Sequence, residues 1–101
     1  MTPLLLSDHE LRLVRDLFVR HPEVVSATLF GSRAKGTASQ RSDIDLALGG
    51  ELTQLQAEAI AGELEELPLP YHFDVRALKH IRHQPLQEHI GRVGICIYKA
   101  A

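Results

Sequence analysis

The sequence predicts a small α/β domain, of the α+β type, in which helices pack on one face of a mixed β-sheet of about four strands. Two observations predict this class: helical and strand-like segments alternate along the chain, and proline or glycine residues separate them. With 101 residues, 45% of them hydrophobic, the chain is long enough to form one compact core. We therefore expect a single domain over residues 1–101.

The first part of the chain predicts one helix and one strand. Ser7 and Glu10 have the S-x-x-E spacing of a capping box, which starts a helix. The residues that recur at helical spacing and define its buried stripe are Leu11, Val14, Leu17 and Phe18. The helix ends before Pro22, because a residue that precedes proline is pushed out of the α region. The β-branched and aromatic run at residues 24–30 predicts the first strand.

The rest of the chain predicts three more strands and two more helices. Residues 43–48 form the second strand, which a pair of glycines closes. Thr53 and Gln56 have capping-box spacing and open a helix that extends to residue 67. The residues expected to point inward from this helix are Leu55, Ala59, Ile60 and Leu64. The remaining predicted elements are a third strand at residues 71–77, a short helix that begins at Pro85 with Leu86 and Ile90 inward, and a last strand at residues 95–98.

A Gly-Ser turn and an Asp-x-Asp pair are the most informative local features. Gly31 and Ser32 follow the first strand, and Asp43-Ile44-Asp45 opens the second after ten intervening residues. A Gly-Ser turn offers backbone N–H groups and a hydroxyl to phosphate oxygens, and two carboxylates at i and i+2 can hold hard cations such as Mg²⁺. Together they indicate chemistry on the phosphates of a nucleotide. Each also has a simpler alternative: a turn that only caps a short helix, or acids that are only solvated at a strand start.

Strand alternation predicts a third acid beside this pair. Because successive side chains of a strand point to opposite faces, Asp43 and Asp45 lie together, opposite the apolar side chains of the second strand. By the same rule Asp74 lies on the polar face of the third strand. His72 and Arg76 share that face, where they either tune its charge or form structural ion pairs. If the two strands are neighbours, three carboxylates meet, and one divalent cation, or two about 3.5–4 Å apart, would relieve their repulsion.

Charge and cysteine content limit the partners and the compartment. Acidic residues outnumber basic ones by 13 to 11, which argues against nonspecific binding to a nucleic-acid backbone. The basic residues between the two motifs, candidates for contacts with phosphates, are Arg33, Lys35 and Arg41. No apolar run approaches the roughly 20 residues of a membrane span, and the first residues lack the pattern of a signal peptide. The single Cys96 indicates a reducing cytoplasm and is predicted to be a buried, inert core thiol.

Histidines near the third strand have no metal-site pattern. His80 and His83 stand three residues apart, but no second pair of Cys or His follows at the spacing that zinc ligands need. His89 is isolated from them. We therefore expect the segment around His80 to be solvated or to face a partner.

Taken together, these residues resemble the signature of the nucleotidyltransferase superfamily that includes DNA polymerase β and kanamycin nucleotidyltransferase. That signature is a Gly-Ser, a spacer, an Asp-x-Asp and a third carboxylate on a later strand. Here Gly31-Ser32, Asp43-Ile44-Asp45 and Asp74 match it, and residues 90–98 are similar to the closing segment of the short members. The chain most closely resembles the minimal nucleotidyltransferase (MNT) proteins, which consist of little besides the catalytic core. The resemblance implies the nucleotidyltransferase fold.

The resemblance also implies a reaction, namely Mg²⁺-dependent transfer of AMP from ATP to an acceptor hydroxyl, with release of pyrophosphate. Asp43 and Asp45 would bind Mg²⁺, with two ions expected, together with the triphosphate of ATP. Asp74 would complete the metal site and help to deprotonate the acceptor. The residues implied to bind the nucleotide are Gly31, Ser32 and Arg33, the first two at the β- and γ-phosphates.

A protein partner is implied as well. Larger members carry extra domains that hold the acceptor, and 101 residues leave no room for one, so we expect the acceptor on a partner. MNT proteins are typically paired with a HEPN-domain RNase toxin, and in characterised pairs they transfer AMP to a tyrosine of that toxin. The implied function is an antitoxin that AMPylates a HEPN toxin. Two alternatives stay open: an antitoxin that acts by occlusion without catalysis, and a transferase whose acceptor is a small molecule or an RNA.

Overall fold

The computed structural model describes residues 6–31 and 43–100, and within these ranges the chain forms a four-stranded sheet and three α-helices. The elements are α1 (Asp8–Val19), β1 (Ser26–Phe30), β2 (Ile44–Gly49), α2 (Gln54–Glu65), β3 (Phe73–Ala77), a 3₁₀ turn (Leu78–His80), α3 (Gln84–Val93) and β4 (Ile95–Lys99). The predicted order of helices and strands is therefore confirmed over the described ranges. No helix there is long and apolar enough to cross a membrane.

The sheet is mixed, as predicted, with the strand order β3-β2-β1-β4. β1 pairs antiparallel with both β2 and β4, whereas β2 and β3 are parallel. Two parallel neighbours need a crossover because both strands run in the same direction, and α2 forms that crossover. β3 and β4 are the edge strands.

Both predicted capping boxes are present at the starts of α1 and α2. The Ser7 hydroxyl accepts from the Glu10 N–H at 3.1 Å, and the Glu10 carboxylate accepts from the Ser7 N–H at 2.9 Å. Thr53 and Gln56 make the corresponding pair of bonds at 3.1 and 2.7 Å. Each box satisfies donors that a helix N-terminus leaves unpaired, which is why a purely local signal predicted these two starts correctly.

The main core lies between one face of the sheet and the helices α1 and α2. Ile44, Leu46 and Leu48 of β2 are fully buried on this face, as strand alternation predicts. The helical residues of this core are Leu11, Val14, Leu17 and Phe18 from α1, and Ala57, Ile60 and Leu64 from α2. All four predicted residues of the α1 stripe are thus confirmed.

The opposite face of the sheet is covered in part by α3. A second, smaller cluster joins Phe30 and Ala47 of the central strands to Ile81 and Ile90, with Leu86 packed against it. The expectation that helices pack on one face holds for α1 and α2, and α3 departs from it. The reason is that Phe30 and Ala47 are apolar side chains on the second face of the central strands, and burying them requires cover on that side.

The predicted burial of three residues was wrong. Leu55 and Ala59 do not point inward from α2: both are exposed, Leu55 to 77%. The helix turns Ala57 to the sheet instead, because Ala57, Ile60 and Leu64 make the continuous stripe that fits this face. Cys96 is exposed rather than buried, because it alternates with the buried Ile97 on an edge strand and points to the other side.

Candidate active site

The acidic residues of the Asp-x-Asp pair and of the third strand lie near the points where β2 and β3 begin. In the parallel pairing of these strands Asp45 lies directly opposite Asp74, and Asp43 precedes β2 by one residue. Asp43 and Asp74 are exposed, whereas Asp45 is partly buried. The prediction that Asp45 and Asp74 lie together on one face is therefore confirmed, whereas Asp43 lies outside β2 and its place on that face stays a prediction. Their roles in binding and catalysis stay predictions.

Asp45 is the electrostatically perturbed member of this group. Burial raises the pKa of its carboxyl above the ordinary value, and the negative charges of Asp74 and then Asp43 raise it further. Arg76 has the opposite and smallest influence on this pKa. A cation placed among the carboxylates would remove the repulsion that these neighbours create.

Arg76 provides part of that compensation in the protein itself. Its Nη2 lies 3.7 Å from Oδ2 of Asp74, and both side chains are about half exposed. An ion pair this long and this solvated contributes little to stability, so it leaves Asp74 able to exchange Arg76 for another partner. His72, the other candidate neighbour, turns instead toward α2, where its Nδ1 lies 3.3 Å from Glu65 Oε1.

Gly31 brings the end of β1 against the acids. Its φ of +76° lies in the left-handed region, which favours glycine. A Cβ at this position would lie against Oδ2 of Asp45, so any other residue would have to displace that carboxylate as well as adopt a strained backbone conformation. The neighbouring predicted nucleotide contacts Ser32 and Arg33, like Lys35 and Arg41, lie outside the described residues.

His89 is a feature of the site that sequence analysis missed. The backbone N–H of Gly31 donates to Nε2 of His89 at 3.2 Å, and the imidazole and the ring of Phe30 are nearly perpendicular, with centroids 6.3 Å apart. His89 therefore anchors the turn to α3. Its only local signal was its position next to the buried Ile90, since the contact depends on where α3 docks.

The donor set fits a hard cation that arrives with a substrate. Within residues 6–31 and 43–100, no group of three His, Cys, Asp or Glu side chains is arranged to hold a metal ion. Mg²⁺ does not require such a cage, because it usually keeps several waters and binds through one or two carboxylates plus substrate phosphates. Asp43, Asp45 and Asp74 supply carboxylate oxygens of the kind that Mg²⁺ prefers.

A groove opens beside the acids along the outer edge of β3. Its volume is about 800 Å³, and both Asp74 and Arg76 line it. One wall is α2 and the other is the segment from His80 to Leu86. The acids thus lie between the Gly31 turn on one side and an open groove on the other.

A comparison with protein families identifies the family of this chain. The family model described as "Polymerase beta, Nucleotidyltransferase" matches residues 13–101. Among the curated proteins, no match was found. Because the family model includes nearly the whole chain, it covers the Gly31 turn, all three acids and the four strands that support them.

Solved structures of toxin–antitoxin complexes have a similar fold. A toxin–antitoxin structure with AMP-PNP matches with a TM-score of 0.75 and 22% identity, over 89% of this chain and 73% of that chain. An MntA–HpeT complex with a tyrosine-to-alanine substitution matches with a TM-score of 0.71 and 24% identity, over 94% and 74%. The Shewanella oneidensis complex of a tri-AMPylated HEPN toxin with its MNT antitoxin matches with a TM-score of 0.62 and 18% identity, over 89% and 73%. This likeness establishes the fold.

The family match and the structural likeness rest on different properties, one on sequence and the other on the path of the backbone. Both cover the part of the chain that contains Gly31, Asp45 and Asp74 or its fold. The chain belongs to the polymerase β nucleotidyltransferase family.

Proposed function

We propose that this protein is an Mg²⁺-dependent nucleotidyltransferase that transfers AMP from ATP to a tyrosine of a HEPN-domain toxin and thereby acts as its antitoxin. The single observation that supports it best is the alignment of three features on adjacent strands. Gly31 lies against Asp45, and Asp45 lies opposite Asp74 in register. A phosphate-binding turn, a cation-binding pair and a further carboxylate are the parts that transfer of a nucleotidyl group needs.

Each of these residues has a role in the proposed reaction. The Gly31 turn would hold the β- and γ-phosphates with Ser32, and Asp43 and Asp45 would hold Mg²⁺ together with the triphosphate. Bound there, Mg²⁺ neutralises the phosphate charge that grows during the reaction. The acceptor oxygen forms a bond to the α-phosphorus as the bond to pyrophosphate breaks, and the hydroxyl proton passes to the Asp74 carboxylate. Asp74 is suited to this because it is exposed and only weakly paired with Arg76.

The structural neighbours support the choice of acceptor. One neighbour is a toxin–antitoxin structure with an ATP analogue, and another contains a HEPN toxin that carries three AMP groups beside its MNT antitoxin. In a third, an MntA–HpeT complex, two aspartates separated by one residue are replaced by glutamate, which is the spacing of Asp43 and Asp45. These neighbours support transfer of AMP to a partner toxin, and the choice of a tyrosine as its acceptor rests on the resemblance to the MNT proteins.

Replacement of Asp43 and Asp45 by asparagine tests the proposal. The double variant Asp43→Asn, Asp45→Asn keeps the size of both side chains and removes their charge. With purified HEPN toxin from the same genome and ATP labelled at the α-phosphate, we expect incorporation of AMP to fall at least about 100-fold, the size typical for loss of a group that stabilises transition-state charge. Unchanged labelling by a variant that is still folded would contradict the assignment.

Toxin neutralisation in cells separates catalysis from occlusion. If transfer of AMP silences the toxin, the double variant fails to protect cells although it still binds the toxin. If the variant protects cells as well as the wild type does, the antitoxin acts by occlusion. A control of the same type is Asp16→Asn on α1, which removes one exposed carboxylate and leaves the three acids and the groove intact.

A further inference from the structure

We propose that the groove along the outer edge of β3 binds an extended segment of the acceptor protein, which adds to β3 as a further strand and brings its hydroxyl to Asp74. This inference rests on the proposed function and names the surface through which the acceptor reaches the site. The occupant is a polypeptide, and four properties of the described residues support that choice.

The first property is the side from which the acceptor must approach the phosphorus. In an in-line displacement the attacking oxygen and the leaving pyrophosphate lie on opposite sides of the phosphorus. Here Gly31 lies on the β1 side of Asp45 and Asp74 lies on the β3 side, because β2 runs between those two strands. If the turn at Gly31 holds the leaving phosphates, the acceptor must come from the β3 side, which is where the groove opens.

The shape of the groove fits an extended chain. Its floor is the edge strand β3, and its walls stand on both faces of the sheet. The residues that form the α2 wall are Glu58, Ala61, Gly62 and Glu65, and those of the opposite wall are His80, Arg82, His83 and Leu86. A channel bounded on both sides of a sheet edge leaves room for one more strand in the plane of the sheet, about 4.8 Å from β3.

Free backbone groups lie on the floor of this groove. The carbonyl of His72 accepts from β2, so Phe73, Val75 and Ala77 direct their backbone groups outward. Gln54 covers part of that edge, since its side chain donates to the Val75 carbonyl at 3.2 Å and accepts from the Ala77 N–H at 3.0 Å. The Phe73 N–H and carbonyl and the Val75 N–H have no partner within the described part of the chain. These are the groups that an added strand pairs with, and they flank Asp74.

The charges of the two walls favour a polypeptide over a nucleic acid. Glu58 and Glu65 make the α2 wall acidic, whereas Arg82 on the opposite wall is basic. A phosphate backbone would be repelled by the acidic wall. Side chains of an added strand alternate between the two faces, so a segment with basic residues toward α2 and acidic residues toward Arg82 complements both walls.

Two exposed helical glycines provide a matched test. At Gly62 and at Gly91 a Cβ would meet nothing within 4 Å, and both residues are exposed, so a side chain introduced at either position starts in open space. Only Gly62 lines the groove. We expect Gly62→Trp to raise the KM for the HEPN toxin at least 10-fold and to weaken toxin binding by a similar factor. Gly91→Trp should leave both values within twofold of the wild type. Affinity for Mg²⁺ and AMP-PNP should be the same in both variants.

A second measurement does not depend on any substitution. When the wild-type protein binds the toxin, the amide hydrogens of Phe73 and Val75 should exchange more slowly, because the added strand pairs with them. Equal toxin binding by the two tryptophan variants, or unprotected amides in the complex, would overturn the groove assignment while leaving transfer of AMP intact. Toxin that binds through the groove without becoming labelled supports the groove and contradicts the proposed function. A wild-type protein that neither binds nor labels the toxin contradicts both.

Discussion

On the face of the sheet that α1 and α2 cover, Ile44, Leu46 and Leu48 of β2 are fully buried, whereas on the other face the same strand presents Asp45 beside Asp74. The first face removes apolar surface from water and contributes stability. The second face collects like charges, one of them partly buried, which costs stability until a cation or substrate arrives. Strand alternation separates the two tasks by one residue, so a change on one face should leave the other largely intact.

The largest effect on stability should come from the apolar face. Leu46 is fully buried next to Asp45, and Leu46→Ala should lower the free energy of unfolding by about 2–5 kcal/mol, because it removes apolar contacts and leaves a cavity. Urea denaturation followed by circular dichroism measures this difference. A loss below 0.5 kcal/mol, on the order expected of surface sites, would break the contrast between the faces.

An intermediate loss of stability is expected from a substitution at Gly31, in the turn after β1. Gly31→Ala forces an alanine into the left-handed region and places its methyl group against the Asp45 carboxylate, which should cost about 1–3 kcal/mol. The matched control is Gly62→Ala, at an exposed helical position with open space, where the higher helix propensity of alanine should stabilise by up to about 1 kcal/mol. Thermal denaturation of the two variants should therefore shift in opposite directions. Equal shifts would contradict the close approach of Gly31 to Asp45.

A smaller effect, of opposite sign, is expected at Asp45. Because its pKa is raised in the folded state above the ordinary 3.8, the folded protein binds a proton more readily than the unfolded chain does. Stability from this group is thus present below pH 3.8 and is lost as the pH rises through the folded-state pKa. Asp45→Asn removes that loss, so without Mg²⁺ and nucleotide the variant should melt at a higher temperature than the wild type at pH 7.

Binding of Mg²⁺ and AMP-PNP should reverse the order of the melting temperatures, so that the wild type becomes more stable than the Asp45→Asn variant. With Mg²⁺ and AMP-PNP present, the wild type should gain melting temperature by mass action, and the Asp45→Asn variant should gain much less. The comparison is made in EDTA and then in Mg²⁺ with AMP-PNP, each at pH 5 and pH 7. A variant that is less stable than the wild type in EDTA at pH 7 would show that the Asp45 charge is not a cost.

The smallest effect is expected on the outer surface of α2. Leu55 is 77% exposed, so Leu55→Ala should change the free energy of unfolding by no more than about 0.5 kcal/mol. The same substitution at Leu46 is the internal reference, because the chemistry is identical and only the burial differs. A large loss at Leu55 would mean that this side chain is covered in solution, for example by a partner.

Local patterns determined much of this fold. The capping boxes at Ser7 and Thr53 predicted two helix starts, because their hydrogen bonds involve residues only three positions apart. Alternation predicted that Asp45 and Asp74 lie on the polar side of their strands, because the period of a strand does not depend on its neighbours. The chemistry of the candidate site could therefore be predicted from residue types and spacing.

Contacts between distant segments were decided only by the tertiary structure. Which strands pair, and in what register, depends on how α2 closes the crossover, and that register sets Asp45 opposite Asp74. The rotation of α2 exposes Leu55, the sheet face on which Cys96 lies leaves it exposed, and the docking of α3 brings His89 to Gly31. A sequence pattern encodes periodicity along one segment. It does not encode which surface that segment meets, because packing between all the segments selects that surface.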